Sequence, residues 1–185
     1  MTLTDLILIA VGLSMDAFAV SVCKGLSVRR VSARHALLCG VWFGGFQALM
    51  PLLGFFLGDR FAVLLTRLGP WIAFVLLALI GGNMIKESFG GDETLDDDFS
   101  AKAMLPLAVA TSIDAFAVGV SFAAMQVHIA TAAGLIGGIT CGLSAAGVKA
   151  GAVFGDKYRA PAERAGGVVL ILIGAKTLLT GLGVL

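Results

Sequence analysis

Two aspartates lie deep inside otherwise apolar stretches of this 185-residue chain. Asp16 is the fourteenth residue of its stretch and Asp114 the twelfth of its own. An aspartate near mid-bilayer costs roughly 2.5–3.5 kcal/mol on insertion scales, so such residues usually serve a partner or a substrate path. Two ionised carboxylates brought together repel each other, so either one holds a proton or a positive group lies between them. A divalent cation neutralises both, and hard oxygen ligands suit manganese, magnesium or calcium better than copper or zinc.

The two aspartates belong to a repeated motif. Residues Leu13–Val22 recur 98 positions later as Thr111–Val120, with seven of ten positions identical. Later parts of the two halves correspond as well, namely Gly54–Asp59 with Gly151–Asp156, and Leu79–Gly81 with Leu172–Gly174. The chain is therefore interpreted as an internal duplication that carries one aspartate in each copy.

Composition and apolar run length predict an all-α fold, a polytopic membrane protein of six transmembrane helices. Hydrophobic residues make up 58% of the chain and charged residues 14%, against about a quarter in soluble domains. Each run approaches the roughly 20 residues needed to cross the hydrocarbon core as a helix. No basic stripe indicates nucleic-acid binding. The predicted spans are Leu3–Cys23, Ala36–Gly58, Leu68–Ile85, Ala103–Met125, Ala130–Gly155 and Gly166–Leu185.

The repeats are predicted to be inverted relative to each other. Each contains three helices, an odd number, so the second copy enters the membrane from the opposite side. We divide the chain into a first repeat (1–88), an acidic cytoplasmic linker (89–102) and a second repeat (103–185), which together form one membrane domain. Inverted repeats commonly build a transport site at the bilayer midplane, between the halves. Duplication without transport is the alternative.

The charges of the connecting segments predict the orientation. Nine basic residues lie on one side, in the loop after the first helix, the central loop from Lys86 to Lys102 and the loop before the last helix. Only Arg60 and Arg67 lie on the other side. By the positive-inside rule the nine-residue side is cytoplasmic. Both termini are then periplasmic in a bacterial inner membrane.

The second and fifth spans each carry a stripe of small residues with one polar member. Such stripes let helices approach closely, so we expect both spans to pack on the aspartate helices and to offer Gln47 and Ser144 toward the carboxylates. Helix packing alone is the alternative. The stripes, each within an arc of about 80°, are Gly40, Gly44, Gln47, Pro51, Gly54 and Gly58, and Gly137, Cys141, Ser144, Val148, Gly151 and Gly155.

Further candidate cation ligands are weaker. Ser14 and Ser112 precede their aspartates by two positions, which is about 160° away in a regular helix, so they could reach the cation only if the helix is irregular. Met50 is a candidate in one half only, and methionine more often packs than ligates. A structural alternative for the aspartates is a pairing with Lys149 or Lys176, the two lysines inside spans.

The chain resembles the manganese exporter family (MntP-like efflux pumps), small bacterial six-helix membrane proteins of the lysine-exporter superfamily. The resemblance covers four of the six helices, and chain length and helix count also match. It rests on the segments Ser14–Ser21, Phe46–Gly54, Gly81–Glu87 and Ala110–Gly119. It implies export of Mn²⁺ as a transported substrate, with no prosthetic group, and it carries the family's two intramembrane aspartates onto Asp16 and Asp114.

Three function classes follow from these observations. The first is a cation exporter, not an enzyme, driven by an ion gradient or passive, because the sequence contains no ATP-binding loop. The second is an exporter of amino acids or other small solutes, which requires Lys149 and Lys176 to face the cavity. The third is a non-transporting membrane subunit. The expected partners are the lipid bilayer and a metal ion; no obligate protein partner is indicated, and an oligomer is compatible with the sequence.

Overall fold

The computed structural model describes residues 2–26, 28, 31–87, 89 and 99–183. Within this part of the chain the regular structure is entirely helical and forms four continuous helices. They are α1 (Leu3–Leu26), α2 (Ala33–Glu87), α3 (Ala101–Ala124) and α4 (Ile129–Gly181). The prediction of an all-α chain is confirmed. The acidic segment Asp92–Asp98 of the predicted linker lies outside the described residues.

The predicted membrane spans reappear inside these four helices. Among the described residues, five segments are long and apolar enough to cross a membrane: Leu3–Leu26, Ala33–Leu57, Ala101–Ala123, Ile129–Val153 and Arg164–Gly181. The remaining predicted span corresponds to the shorter apolar segment Arg67–Asn83. The structure differs from six separate helices because the predicted connections, residues 59–67 and 156–165, are helical too. Both connections are rich in Ala, Leu, Arg or Lys, which are good helix formers.

Both long helices bend between their two apolar segments. In a straight helix, residues fifteen positions apart are separated by about 22 Å. Gly54 abuts the Phe116 carbonyl, whereas a Cβ at Gly69 would lie 2.7 Å from Cγ2 of Ile113, on the same turn of α3. α2 must therefore change direction between these two glycines.

The bend of α4 has the same form. Gly151 abuts the Val22 carbonyl, and fifteen residues later the Gly166 carbonyl accepts a hydrogen bond of 3.5 Å from Sγ of Cys23. Since Val22 and Cys23 are neighbours on α1, α4 also reverses its course. The two predicted connections thus act as turns although their backbone stays helical.

Small residues set the closest helix contacts. The first segments of α2 and α4 meet at Gly44, where a Cβ would lie 2.7 Å from the Gly137 carbonyl oxygen. Further along, Gly54 contacts α3 at Phe116, and Gly151 contacts α1 at Val22. The expectation that the second and fifth spans pack on the aspartate helices is confirmed. Without a Cβ, these glycines allow the two backbones to approach closely. Close approach increases dispersion attraction, which membrane helices depend on because lipid tails are as apolar as the side chains themselves.

The outer surface is strongly apolar. Large hydrophobic side chains on three helices are more than 60% exposed, among them Leu8, Phe56, Val153 and Leu172. A soluble monomer rarely leaves so much apolar surface in water, whereas a lipid-facing surface requires it.

One end of the bundle is closed by an aromatic cluster. Phe99, immediately before α3, is buried and stacks on His35, with ring centroids 4.7 Å apart. The Lys24 ammonium lies 5.5 Å from the centre of the Phe99 ring, within range of a cation–π interaction. The cluster therefore joins the C-terminal end of α1 to the N-terminal ends of α2 and α3.

Candidate metal-transport site

Both aspartates line one cavity of about 440 Å³. Asp16 comes from the middle of α1 and Asp114 from the middle of α3, and both side chains are partly buried. The other lining residues come from α2, α3 and the end of α4: Pro70, Ala110, Ile113, Phe116, Ala117, Lys176, Thr177, Thr180 and Gly181. Two carboxylates that are 98 positions apart in sequence thus share one largely apolar chamber.

The bends of α2 and α4 bring the remaining walls to the aspartates. After its bend, α2 passes Ile113 of α3 at Gly69 and then presents Pro70 to the cavity. The Pro70 ring also lies against Gly181, where a Cβ would be 2.6 Å from the Cβ of the proline. Because there is no room for a side chain at Gly181, the last turn of α4 can approach α2 and close this wall.

The cavity contains a third charge. Lys176 lines it together with the two aspartates, so the fully ionised chamber carries two negative charges and one positive, a net charge of −1. One carboxylate oxygen of Asp114, Oδ1, accepts a hydrogen bond of 2.8 Å from the Ala115 amide. Because negative charge exceeds positive charge in the chamber, the chamber attracts a cation.

A cation between the aspartates would need further oxygen ligands. Among the described residues, no group of three or more His, Cys, Asp or Glu side chains is placed to hold a metal ion. Thr177 donates its hydroxyl hydrogen to the Ile173 carbonyl at 2.9 Å, which leaves its oxygen lone pairs available. Threonine hydroxyls, backbone carbonyls and water are hard ligands that suit manganese and magnesium.

Gln47 and Ser144 are fully buried and are not among the described residues that line the cavity. The Gln47 side-chain nitrogen, Nε2, donates to the Leu13 carbonyl of α1 at 2.7 Å. Its oxygen, Oε1, and the Ser144 hydroxyl have no hydrogen-bond partner within the described residues. An unpaired buried polar atom costs about 1–3 kcal/mol, so two of them at equivalent positions of the repeats need an explanation.

The remaining candidate ligands, Ser14, Ser112 and Met50, make hydrogen bonds or apolar contacts with other residues. The Ser14 hydroxyl donates to the Ala10 carbonyl at 2.6 Å and also lies 2.7 Å from the Thr140 hydroxyl. The Ser112 hydroxyl donates to the Ala108 carbonyl at 2.7 Å. Met50 is half-buried and packs against the apolar cluster around Leu6 and Phe122. None of the three candidates is among the described residues that line the cavity, and as ligands they stay predictions.

Thr177, Thr180 and Pro70 were not predicted from the sequence. Hydroxyl residues in helices commonly bond to their own backbone, so the two threonines carry no distinctive signal. Lys176 did carry a distinctive signal, because a charge inside an apolar span indicates a functional or paired position. The sequence identified Lys176 as a candidate partner of the aspartates, and the structure brings it to the same cavity.

A family model described as "Putative manganese efflux pump" matches residues 30–178. Similar proteins carry the name "Putative manganese efflux pump MntP". The one from Desulfitobacterium hafniense is 59% identical over 181 residues, covering 98% of this chain and 96% of the relative. Those from Acetivibrio thermocellus and Bifidobacterium adolescentis are each 54% identical over 187 residues, covering 100% and 99% of this chain and 94% and 99% of the relatives. No solved structure matches the chain. The match over most of the chain and the full-length relatives agree, and the chain belongs to the manganese efflux pump family.

Proposed function

We propose that the chain exports Mn²⁺ from the cytoplasm through the cavity that Asp16 and Asp114 line. The observation that carries the proposal is the meeting of two carboxylates, from equivalent positions of a duplicated motif, in one chamber of a chain that belongs to this family. The pair supplies two negative charges to a divalent cargo, and manganese accepts the hydroxyl, carbonyl and water oxygens that complete its coordination.

Export is tested in manganese-sensitive bacteria that lack their own exporter. We expect expression of the chain to restore growth in excess manganese and to lower the manganese content of the cells. Magnesium and calcium are measured in the same samples, because both prefer the same class of ligand. Unchanged manganese content in cells with verified membrane expression would contradict the proposal.

The proposed site lies between two inverted repeats. Supporting contacts come in pairs. If each residue of one contact is replaced by the equivalent residue of the other repeat, the second contact of the pair results. Gly40 meets Cys141 while Gly137 meets Gly44, which correspond at a spacing of 97 residues. In the last segments Gly81 meets Gly167, and Gly174 meets Phe74, which correspond at a spacing of 93. Such reciprocity is what a pseudo-two-fold axis requires, and it supports an inverted arrangement in which this axis relates Asp16 to Asp114.

An ion gradient is the proposed source of energy. The sequence contains no ATP-binding loop and no phosphorylation-type aspartyl motif. The simplest coupling is proton exchange at the aspartates. When a divalent cation leaves, two carboxylates remain close together in an apolar chamber, and protonation removes their repulsion and their desolvation cost. Manganese export by proteoliposomes should then increase with an imposed proton gradient, and a rate independent of that gradient would leave passive movement.

We propose that both termini lie on the periplasmic side of the inner membrane. Nine basic residues in connecting segments of the other side support this orientation. With this orientation the Pro70 and Gly181 wall faces outward, and the Phe99–His35 cluster closes the cytoplasmic end. A C-terminal alkaline phosphatase fusion should be active and a C-terminal green fluorescent protein fusion dark. A fluorescent fusion would overturn the orientation.

The unpaired oxygens of Gln47 and Ser144 are proposed as ligands that the cargo meets when the helices rearrange. Other buried hydroxyls, such as that of Ser21, donate to the carbonyl four residues earlier, but the Ser144 hydroxyl has no partner among the described residues. We expect Ser144→Ala to leave stability unchanged or to raise it, and to slow export about fivefold, the value of one neutral polar contact near 1 kcal/mol.

The matched control for Ser144→Ala is Ser21→Ala, which removes another fully buried hydroxyl. Export rates and thermal midpoints of both purified variants are compared with the parent in proteoliposomes and in detergent. Wild-type export by Ser144→Ala would return this residue to a packing role.

A second candidate function, export of a small zwitterionic solute, is favoured by one observation. Such a solute needs a cation for its carboxylate, and Lys176 lines the cavity with the two aspartates. Lys149, the other lysine required by that interpretation, is exposed and is not among the described lining residues. Vesicles that retain manganese but release labelled basic or neutral amino acids would support the second function. No observation favours a non-transporting subunit.

A further inference from the structure

A second cavity, of about 390 Å³, lies at the opposite end of the bundle from the Pro70 and Gly181 wall. It is lined by Lys24 of α1, by Lys102 and its neighbours on α3, and by the last segment of α2. The apolar lining residues are Leu76, Leu79, Ile80, Ala103, Pro106 and Leu107. Neither lysine takes part in the aspartate cavity. The described lining of this cavity is therefore separate from that of the aspartate cavity.

Three features at the polar end of the cavity favour an anionic group. Lys24 is 7% exposed, with its ammonium held over the Phe99 ring. Lys102 is exposed and is the second residue of α3. The N-terminus of α3 adds the positive end of its dipole and the amide groups of its first two residues, whereas the Ala103 and Met104 amides donate to the Ser100 carbonyl. Such a combination at a helix start attracts phosphate groups.

The rest of the cavity is suited to a hydrocarbon chain. Leu79 is 63% exposed and faces outward from α2, beside the partly buried Leu76 and Ile80. Pro106 of α3 is also partly buried, and no charged side chain is among the described residues of this part of the lining. A ligand with a negative head and an apolar tail matches a basic end that continues into an apolar, lipid-facing groove.

We propose that this cavity binds an anionic phospholipid, with its phosphate near Lys24 and Lys102 and an acyl chain along Leu79. Basic pockets between membrane helices on the cytoplasmic side are a recurrent form of lipid recognition. The bound lipid bridges α1, α2 and α3 beside the Phe99 cluster. It therefore stabilises the closed end of the bundle, independently of which cargo the aspartate cavity carries.

The test uses the full-length protein, purified and delipidated in neutral detergent. Thermal unfolding is followed during titration with phosphatidylglycerol, phosphatidylcholine or inorganic phosphate. We expect phosphatidylglycerol to raise the midpoint at lower concentration than phosphatidylcholine, and phosphate to have no comparable effect. Equal effects of the two lipids would overturn the proposal. An equal effect of inorganic phosphate would reassign the site to a free anion.

Lys102→Gln should weaken phosphatidylglycerol binding about fivefold, because one lysine near an anionic lipid is worth close to 1 kcal/mol. Lys102→Arg should retain binding. The matched control is Lys149→Gln, which removes an exposed lysine that is not among the described lining residues. Lys102 is exposed, so its substitution should not impair folding. Unchanged binding by Lys102→Gln would contradict the proposed headgroup position.

A second measurement locates the acyl chain. In a Leu79→Trp variant, brominated phosphatidylglycerol should quench the introduced tryptophan more strongly than brominated phosphatidylcholine at equal mole fraction. The signal is corrected for Trp42 and Trp71 with the parent protein. Equal quenching by both lipids would show Leu79 to be part of the general lipid-facing surface.

Discussion

We expect Asp16→Asn and Asp114→Asn each to reduce manganese export to the level of cells that lack the protein. Asparagine keeps the shape of the side chain but removes one of the two negative charges that the cavity offers to a divalent cation. Charge–charge attraction in an apolar chamber is much stronger than in water, so the loss of one carboxylate is not compensated by the remaining polar groups. The measurement is export rate in proteoliposomes, together with manganese content in cells.

Stability separates a transport role of the aspartates from a structural one. A charge at bilayer depth is costly, so a neutral amide should leave the thermal midpoint unchanged or raise it. If the aspartates only balanced Lys176, removing both would leave that lysine uncompensated and would lower the midpoint instead. Asp5→Asn, on an exposed aspartate at the start of α1, is the matched control and should export normally.

The double variant gives a further check. Because both carboxylates are proposed to hold one ion, Asp16→Asn combined with Asp114→Asn should export no less than either single variant. If one carboxylate alone sufficed to hold the ion, a single variant would keep measurable export and only the double variant would reach the level of cells that lack the protein. Normal export by both single variants would remove the aspartates from the mechanism while leaving the family membership intact.

The second large effect is expected at the contact between α2 and α4. In Gly44→Val, the new Cβ would lie 2.7 Å from the Gly137 carbonyl oxygen and 2.8 Å from the Cβ of Cys141. The second distance is to a side chain, but the first is to backbone, which cannot move without separating the helices. We expect an overpacking cost of about 3 kcal/mol and a midpoint lower by roughly 5–10 °C, with reduced yield of folded protein.

The adjacent glycine provides the control. A Cβ at Gly45 meets nothing within 4 Å, so Gly45→Val has the same change in helix propensity without the clash. We expect Gly45→Val to unfold within about 2 °C of the parent, because removing a glycine from a helix offsets the cost of a β-branched side chain. Midpoints are compared by size-exclusion chromatography after heating. Equal losses in both variants would show that the close contact at Gly44 is not limiting.

Much of the architecture could be predicted from local sequence properties. Apolar runs near 20 residues indicate membrane helices because no other segment satisfies its backbone in lipid. The bends of α2 and α4 also fall where the polar connections were expected. A change of direction at these points places the charged residues of the connections outside the hydrocarbon. What composition did not indicate is that residues 59–67 and 156–165 remain helical. Helix ends depend on local hydrogen bonding that apolar run length does not report.

The candidate site was predictable in its charged core and not in its surroundings. Asp16 and Asp114 were recognisable because a carboxylate within an apolar run is rare and costly, and because the duplication repeats it. Gln47 stays a predicted ligand, and the sequence did not indicate that its side-chain amide donates to the Leu13 carbonyl. The angular position of a residue on its helix predicts which neighbouring helix it approaches, but its hydrogen-bond partner depends on the acceptors that packing brings within reach.

The sequence by itself determined the membrane class, the duplicated aspartates and the family, because these depend on residue type and spacing alone. The tertiary structure decided that the two aspartates share a chamber with Lys176, Thr177 and Thr180. It also decided that Lys24 and Lys102 end an apolar groove at the other end of the bundle. These groups converge only after α2 and α4 bend and after glycines such as Gly44 set the helix distances. Convergence between distant segments is a property of packing, which no single stretch of sequence encodes.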